Sequence, residues 1–359
     1  MPCYITSTGA FLPGEPIDNR RLPLIIGELE GEGEIRERIL RMNGIERRHY
    51  ALNSRQEETH TVYNLAVEAA CRCLGQTESV SYLSAGATYT PLMGPGLASI
   101  VHSELARRGK LIQPVEIASH SGICSSSAQA LMGAARAVEQ GKHNSALCIG
   151  AEQPSAILKS SIIRPTDDRL DFPADIRRSK WFMSVFLRFM LSDGAGAFLL
   201  ESQPNRNQPC FKINWTFARS YAHCAPLCMQ LDTGTLSLSQ DIEILGKHLV
   251  PAARDAAVAA LKENGDDLGG YKCVLPHLSS FYFKRAVIGA LRELCRSSNK
   301  PVEFWTNLST AGNTGAASIF VLLNEYIQSA ELKNGDKLLL FIPESGQFNF
   351  VFISLEAIV

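Results

Sequence analysis

Hydrophobic positions along the chain alternate between two periods, and the alternation predicts an α/β fold. Short apolar runs at residues 4–10, 80–87, 115–118, 146–150 and 195–201 read as strands. Residues 34–42, 61–73, 97–108 and 125–140 read as helices. In the second of these the apolar stripe is Val62, Leu65, Ala66, Ala69, Ala70 and Cys73. Pro13-Gly14 and Asn43-Gly44 supply stops. Residues 203–209 (Gln-Pro-Asn-Arg-Asn-Gln-Pro) are polar and rich in breakers, so the chain divides into halves 1–202 and 203–359. The alternation then resumes. Strands are expected at 212–217, 273–275, 303–305, 337–343 and 348–355, and helices at 242–264 and 281–294 and after the glycine-rich turn near 312–315. Each half ends in a strand pair after a long helix, which suggests a duplicated unit although no sequence period is visible.

Composition narrows the function classes. The 359 residues are 45% hydrophobic and 20% charged, with a net charge of −1, so no overall field draws nucleic acid or membrane. No apolar stretch approaches membrane-spanning length, and the first residues lack the pattern of a secretory leader. The ten cysteines follow no framework, which fits a reducing, cytoplasmic setting. His223-Cys224 with Cys228, and Cys71 with Cys73, lack a second ligand pair, so no metal is expected. Gly194-Ala195-Gly196 precedes a strand, the wrong context for a dinucleotide loop.

Candidate chemistry starts at Cys124. An apolar approach turns at Gly122, the thiol follows, and Ser125–Ser127 lead into a small-residue helix. A buried thiol is ordinarily inert. At a helix start, however, unpaired N–H groups favour thiolate, and the Cys124 N–H is placed to hold an oxyanion. Among eight histidines, His277 differs in lying just past a buried strand, with Pro276 fixing the exit. Asn313 sits in a glycine turn before a second small-residue helix, where it is either a turn residue or an amide donor. Gly346, in a turn between closing strands, offers a second backbone oxyanion donor. Between residues 150 and 195 runs a long connection, in which Arg177, Arg178, Lys180 and Trp181 form a basic–aromatic cluster. It suits either a phosphopantetheine arm and acidic carrier or simply solvent.

These segments occur in a telling order: the cysteine turn, Pro276-His277, Gly312-Asn313-Thr314-Gly315-Ala316-Ala317-Ser318, then the Gly346 turn. Together they resemble β-ketoacyl-ACP synthase III of the thiolase superfamily. Asn43-Gly44-Ile45-Glu46-Arg47-Arg48 and Leu191-Ser192-Asp193-Gly194-Ala195-Gly196-Ala197 are similar to two further segments of that family. The resemblance implies a thiolase fold, a five-layered αβαβα sandwich of two similar halves. It implies a Cys124–His277–Asn313 triad, with the N–H groups of Cys124 and Gly346 as oxyanion hole. It also implies acyl substrates on the phosphopantetheine of acyl carrier protein or CoA, no other cofactor, and a homodimer. In that dimer a loop around Leu92 and Met93 lines the partner's acyl pocket.

Departures shift the expected role. Leu278-Ser279-Ser280 follows His277 where the family carries Gln-Ala-Asn, and Pro343-Glu344-Ser345-Gly346 replaces a glycine triplet. These features look similar to the specialised ketosynthase/cyclases that make cyclohexanediones for dialkylresorcinols and stilbenes. The expected function is Claisen condensation of acyl or β-ketoacyl thioesters through acyl-Cys124. The alternatives are ester or amide formation, a housekeeping initiation synthase, or a subunit of a heterodimer.

Overall fold

The computed structural model describes residues 1–77, 79–163, 180–205, 208–295 and 302–359. Ten strands form one hydrogen-bonded sheet. The N-terminal half supplies β1 (Tyr4–Phe11), β2 (Tyr82–Ala87), β3 (Glu116–Ser121), β4 (Ser145–Glu152) and β5 (Gly194–Glu201). The C-terminal half supplies β6 (Cys210–Ser220), β7 (Cys273–Pro276), β8 (Glu303–Phe304), β9 (Lys337–Pro343) and β10 (Asn349–Ile358).

Their order across the sheet is β8-β7-β9-β10-β6-β1-β5-β4-β2-β3. Outward from the centre, one side reads 1-5-4-2-3 and the other 6-10-9-7-8, the same path with five added to each number. Direction repeats as well. The two outer pairings of each half are parallel, and β4–β5 and β9–β10 are both antiparallel. Only Tyr4↔Lys212 and Ile5↔Phe211 join the halves across β1 and β6.

Six helices cover this sheet: α1 (Val62–Leu74), α2 (Leu97–Arg107), α3 (Ser126–Glu139), α4 (Ile242–Glu263), α5 (Lys284–Arg292) and α6 (Ser318–Ser329). One apolar cluster joins α1 and α2 to the outer face of the N-terminal strands. Another joins α4 and α5 to the C-terminal strands. The third puts α3 and α6 between the two sets of strands, so the expected five layers are present. Strands covered on both faces are buried along their whole length, and all eight residues of β4 are buried.

Three local departures have identifiable causes. Residues 281–294 are not one helix: the Ser280 hydroxyl accepts the Tyr282 N–H at 3.2 Å and starts a 3₁₀ turn, Phe281–Phe283, before α5. A hairpin, Met229–Asp232 with Ser237–Gln240, lies between residues 217 and 242, where the pattern predicts no element. Its signal was Asp232-Thr233-Gly234-Thr235, in which Asp232 accepts the Thr235 N–H at 2.8 Å. Finally, Lys180–Arg188 is a helix within the long connection. Arg177 and Arg178 lie outside the described residues, as do the side chains of Lys180 and Trp181.

Candidate active site

Cys124 occupies the turn between β3 and α3 and is 8% exposed. The turn is made tight by close backbone packing. A Cβ on Gly86 of β2 would lie 2.5 Å from the Ser127 nitrogen and 2.6 Å from its Cα. From the other half, the Glu344 carboxylate accepts the Ser125 N–H at 3.2 Å and also the Ser125 hydroxyl. Asn349 donates to the same hydroxyl at 2.8 Å. Burial works against the thiolate expected at this helix start. Burial pushes the Cys124 thiol well above its ordinary range, and the nearby Glu344 and Glu152 carboxylates push it further. Both effects oppose the thiolate that the helix start favours.

His277 follows β7 and is 2% exposed. Its Nδ1 lies 2.7 Å from the Ser318 hydroxyl, at the first residue of α6, while Nε2 is buried without a hydrogen-bond partner among the described residues. Burial lowers the imidazole pKa to about 4, so the ring is neutral near pH 7. Because a hydroxyl both donates and accepts, Ser318 is compatible with either tautomer, leaving Nε2 as base or as donor.

Asn313 is buried and its backbone is pinned. Its N–H donates to the Met190 carbonyl at 3.1 Å, and its carbonyl accepts the Ser192 N–H at 2.8 Å. Its Oδ1 accepts the Gly315 N–H at 2.9 Å, which fixes the amide and leaves the NH₂ as the donor. Gly312 before it has φ 74°, and a Cβ there would meet Ser192 Cβ at 2.9 Å. The two segments flagged near Arg48 and Asp193 serve this turn. Arg48 and Asn43 both donate to the Phe189 carbonyl, and Asp193 accepts N–H groups from Ala51 and Ser155.

Cys124 lines two adjoining cavities. One it shares with Asn313, Glu152, Thr88 and an apolar wall that includes Ile157, Leu187, Met190 and Leu238. The other it shares with His277, Leu245, Leu249 and Phe283. Ser345 lines both, while Gly346 packs behind it, where a Cβ would lie 2.9 Å from Ile123 Cγ1. Leu92 and Met93 line neither cavity and are 50% and 95% exposed in the single chain.

Sequence reasoning missed three residues of this site. In the sequence Glu344 stands out only as a departure from a glycine triplet, and Ser318 only as the end of the Gly312–Ser318 segment. Glu152 went unremarked because it ends an otherwise apolar strand, and that charged residue closing a buried run was the available signal. Its Oε1 accepts the Thr88 N–H at 2.9 Å, the Thr88 hydroxyl at 2.5 Å and the Ala316 N–H at 3.1 Å. Burial raises its carboxyl to about 7. Glu152 and Glu344 are counterparts: each lies at the end of the corresponding strand, β4 or β9, and each accepts an N–H at the entrance to the other half's central helix. Among the described residues no cluster of His, Cys, Asp or Glu has the makings of a metal site.

Comparison with known proteins agrees with this geometry. The family described as 3-oxoacyl-[acyl-carrier-protein (ACP)] synthase III C terminal matches residues 268–342, the segment carrying His277 and Asn313. A relative, the β-ketoacyl-[acyl-carrier-protein] synthase III of Acholeplasma laidlawii, is 25% identical over 335 residues, covering 91% of this chain and 90% of that one. Two solved structures share the fold. The 3-oxoacyl-[acyl-carrier-protein] synthase III of Aquifex aeolicus has a TM-score of 0.73 at 23% identity, covering 99% of this chain and 100% of that one. OleA of Xanthomonas campestris has a TM-score of 0.78 at 18% identity, covering 99% and 98%. The fold, the full-length relative and the matched C-terminal segment agree, and the chain is a thiolase-fold protein similar to the 3-oxoacyl-[acyl-carrier-protein] synthase III acyltransferases.

Proposed function

We propose that this protein is a ketosynthase that joins two acyl thioesters by Claisen condensation, with Cys124 carrying the first acyl group. The observation that carries the reading is the position of Cys124 at the meeting of two cavities, one bearing Asn313 and the other His277. In the first half-reaction the thiol attacks the thioester carbonyl and its proton passes by way of His277 Nε2 to the departing carrier sulfur. A neutral imidazole suits a thiol whose ionisation burial opposes, because it supplies a base for the proton. The N–H groups of Cys124 and Gly346 hold the tetrahedral oxyanion. In the second half-reaction His277 Nε2–H and the Asn313 amide hold the enolate oxygen of the incoming thioester, and its α-carbon attacks acyl-Cys124. The apolar walls exclude water that would hydrolyse the acyl enzyme.

The partners in this reading are acyl carrier protein or CoA thioesters, gripped through phosphopantetheine. Arg177, Arg178, Lys180 and Trp181 are assigned to carrier contact, and Leu92 and Met93 to the pocket of a second copy in a homodimer. Halves 1–202 and 203–359 are the structural units, and the setting is cytoplasmic. Among the described residues no helix is long and apolar enough to cross a membrane. Ring closure to a cyclohexanedione is the specialised form of the same chemistry.

Intact-protein mass after incubation with acyl-carrier thioesters tests the assignment. The wild type gains the acyl mass, and Cys124→Ala does not. Acylation of Cys124→Ala would move the nucleophile elsewhere. An ester or amide product would replace the carbon–carbon reading.

A further inference from the structure

We infer that Arg188, held by Glu32, is a positioning residue that fixes the calibre of the acyl cavity, so that Cys124 accepts straight-chain acyl thioesters over methyl-branched ones. The inference rests on the condensation reading above and names the acyl class of its first half.

Arg188 and Glu32 form an ion pair at 2.5 Å, with side chains 0% and 2% exposed. Neither lines a cavity beside Cys124, and the chemistry above uses neither. Stability is not what the pair supplies. A buried ion pair is often no better than apolar side chains of similar volume. The second oxygen of Glu32 also has no hydrogen-bond partner among the described residues and meets Arg36 Nη1 only at 4.0 Å. What the pair supplies is geometry, because a guanidinium holds its donors in one rigid plane. Four of the five N–H groups of Arg188 are engaged. Nε donates to the Leu158 carbonyl at 2.8 Å, Nη1 to Glu32 at 2.5 Å, and Nη2 to the Ile26 and Gly27 carbonyls, each at 2.5 Å.

These bonds tie two stretches of one wall. Leu187 precedes Arg188 in the helix Lys180–Arg188, and Ile157 precedes Leu158 in the helix Ser155–Leu158. Both Leu187 and Ile157 line the cavity that Cys124 shares with Asn313. One side chain thus joins the backbone carrying Ile157 to the backbone carrying Leu187. Glu32, Ile26 and Gly27, which lie outside the cavity lining, anchor both to a third part of the chain. The wall continues through Met190 and Leu191, and just before them Arg48 and Asn43 hold the Phe189 carbonyl.

A wall tied in this way resists widening. An unbranched acyl chain fits between its stretches by rotating its own bonds. A methyl branch adds width at one point, and room for it arises only if the stretches carrying Ile157 and Leu187 move apart. Their side chains can repack, but their backbones are held to one guanidinium. The branched chain therefore meets the cost of an overfilled core.

The test is a competition. Each protein receives an equimolar pair of acyl-CoA thioesters with the same main-chain length, one straight and one methyl-branched. The two acyl-Cys124 adducts differ by one CH₂ and are followed together by intact mass. In the wild type the straight chain should acylate Cys124 faster by about tenfold or more, the scale on which a pocket discriminates a single methylene. Glu32→Leu combined with Arg188→Met removes the tie without leaving a buried charge, and should bring the ratio below about threefold. Arg188→Lys, whose ammonium cannot span the same four acceptors, should lower the ratio as well. Both adducts form in one sample, so loss of folded protein cancels from the ratio, and a role in stability alone would not move it. A wild type without preference, or an unchanged ratio in the double variant, overturns the proposal. If the double variant yields no folded protein, Arg188→Lys decides by the same criterion. No adduct on wild-type Cys124 from either thioester would instead sink the condensation reading, and this proposal with it.

Discussion

At the scale of single residues, the site is governed by burial more than by the helix start that first drew attention to Cys124. Taking a thiol, an imidazole and a carboxyl out of water drives each toward its neutral form: the thiol and carboxyl rise, the imidazole falls. Proton transfers between neutral partners then cost little desolvation. Glu344 tunes this balance at the nucleophile, since its charge opposes ionisation of the thiol. Removing that charge while keeping an acceptor for Ser125 should therefore lower the Cys124 pKa. In Glu344→Gln the pH profile of iodoacetamide alkylation, read at the Cys124 peptide by mass spectrometry, should move to lower pH. An unmoved or upward-shifted profile would show that the carboxylate only holds the turn.

At the scale of elements, the sequence was most readable where period and burial agree. Residues 337–343 were assigned to a strand with the observed bounds, because Leu338–Ile342 form one apolar run between turns. Cys124, His277 and Asn313 stand out in the sequence because each follows a breaker, Gly122, Pro276 or Gly312. Less legible were residues whose role is set by partners from afar. Glu152 depends on Thr88 and Ala316, and Ser318 on His277 across 41 positions. No local pattern encodes such meetings. The glycines at strand–helix contacts form an intermediate case, visible in the sequence but meaningful only in the packing. Gly9 on β1 and Gly86 on β2 are equally crowded: a Cβ would meet the Cys73 nitrogen at 2.4 Å in one and the Ser127 nitrogen at 2.5 Å in the other. Each change to Ala should cost about 1–3 kcal/mol in denaturant unfolding. Only Gly86→Ala displaces the cysteine turn, so acylation should fall in that variant well beyond its fraction unfolded and stay near wild type in Gly9→Ala. Equal activity losses would mean that the turn tolerates the shift.

At the scale of the whole molecule, the sheet has two unequal ends. β8 is two residues long, whereas β3 has six residues, all exposed or half-buried, and Ile117 is 42% exposed. A long open edge with apolar side chains is a template for pairing with another strand. The proposed homodimer is expected to form there, bringing the exposed Met93 loop of one copy toward the other. Ile117→Lys should raise the dimer dissociation constant, measured by sedimentation, by tenfold or more. A wild type that stays monomeric at micromolar concentrations, or a variant that dimerises as well as wild type, would remove β3 from the interface.

The reciprocity of Glu152 and Glu344 carries a consequence for descent. Two copies of one ancestral unit, paired about a two-fold axis, would each have lent a carboxylate to the other's central helix, and fusion into one chain would preserve that exchange. Once fused, the copies were free to differ. One entrance holds a sulfur and the other an amide, and one carboxylate braces Ser125 while its twin braces Ala316 and lines the cavity. Asymmetry of task within symmetry of frame is what a paired ancestor, obliged to duplicate every change, was unable to reach.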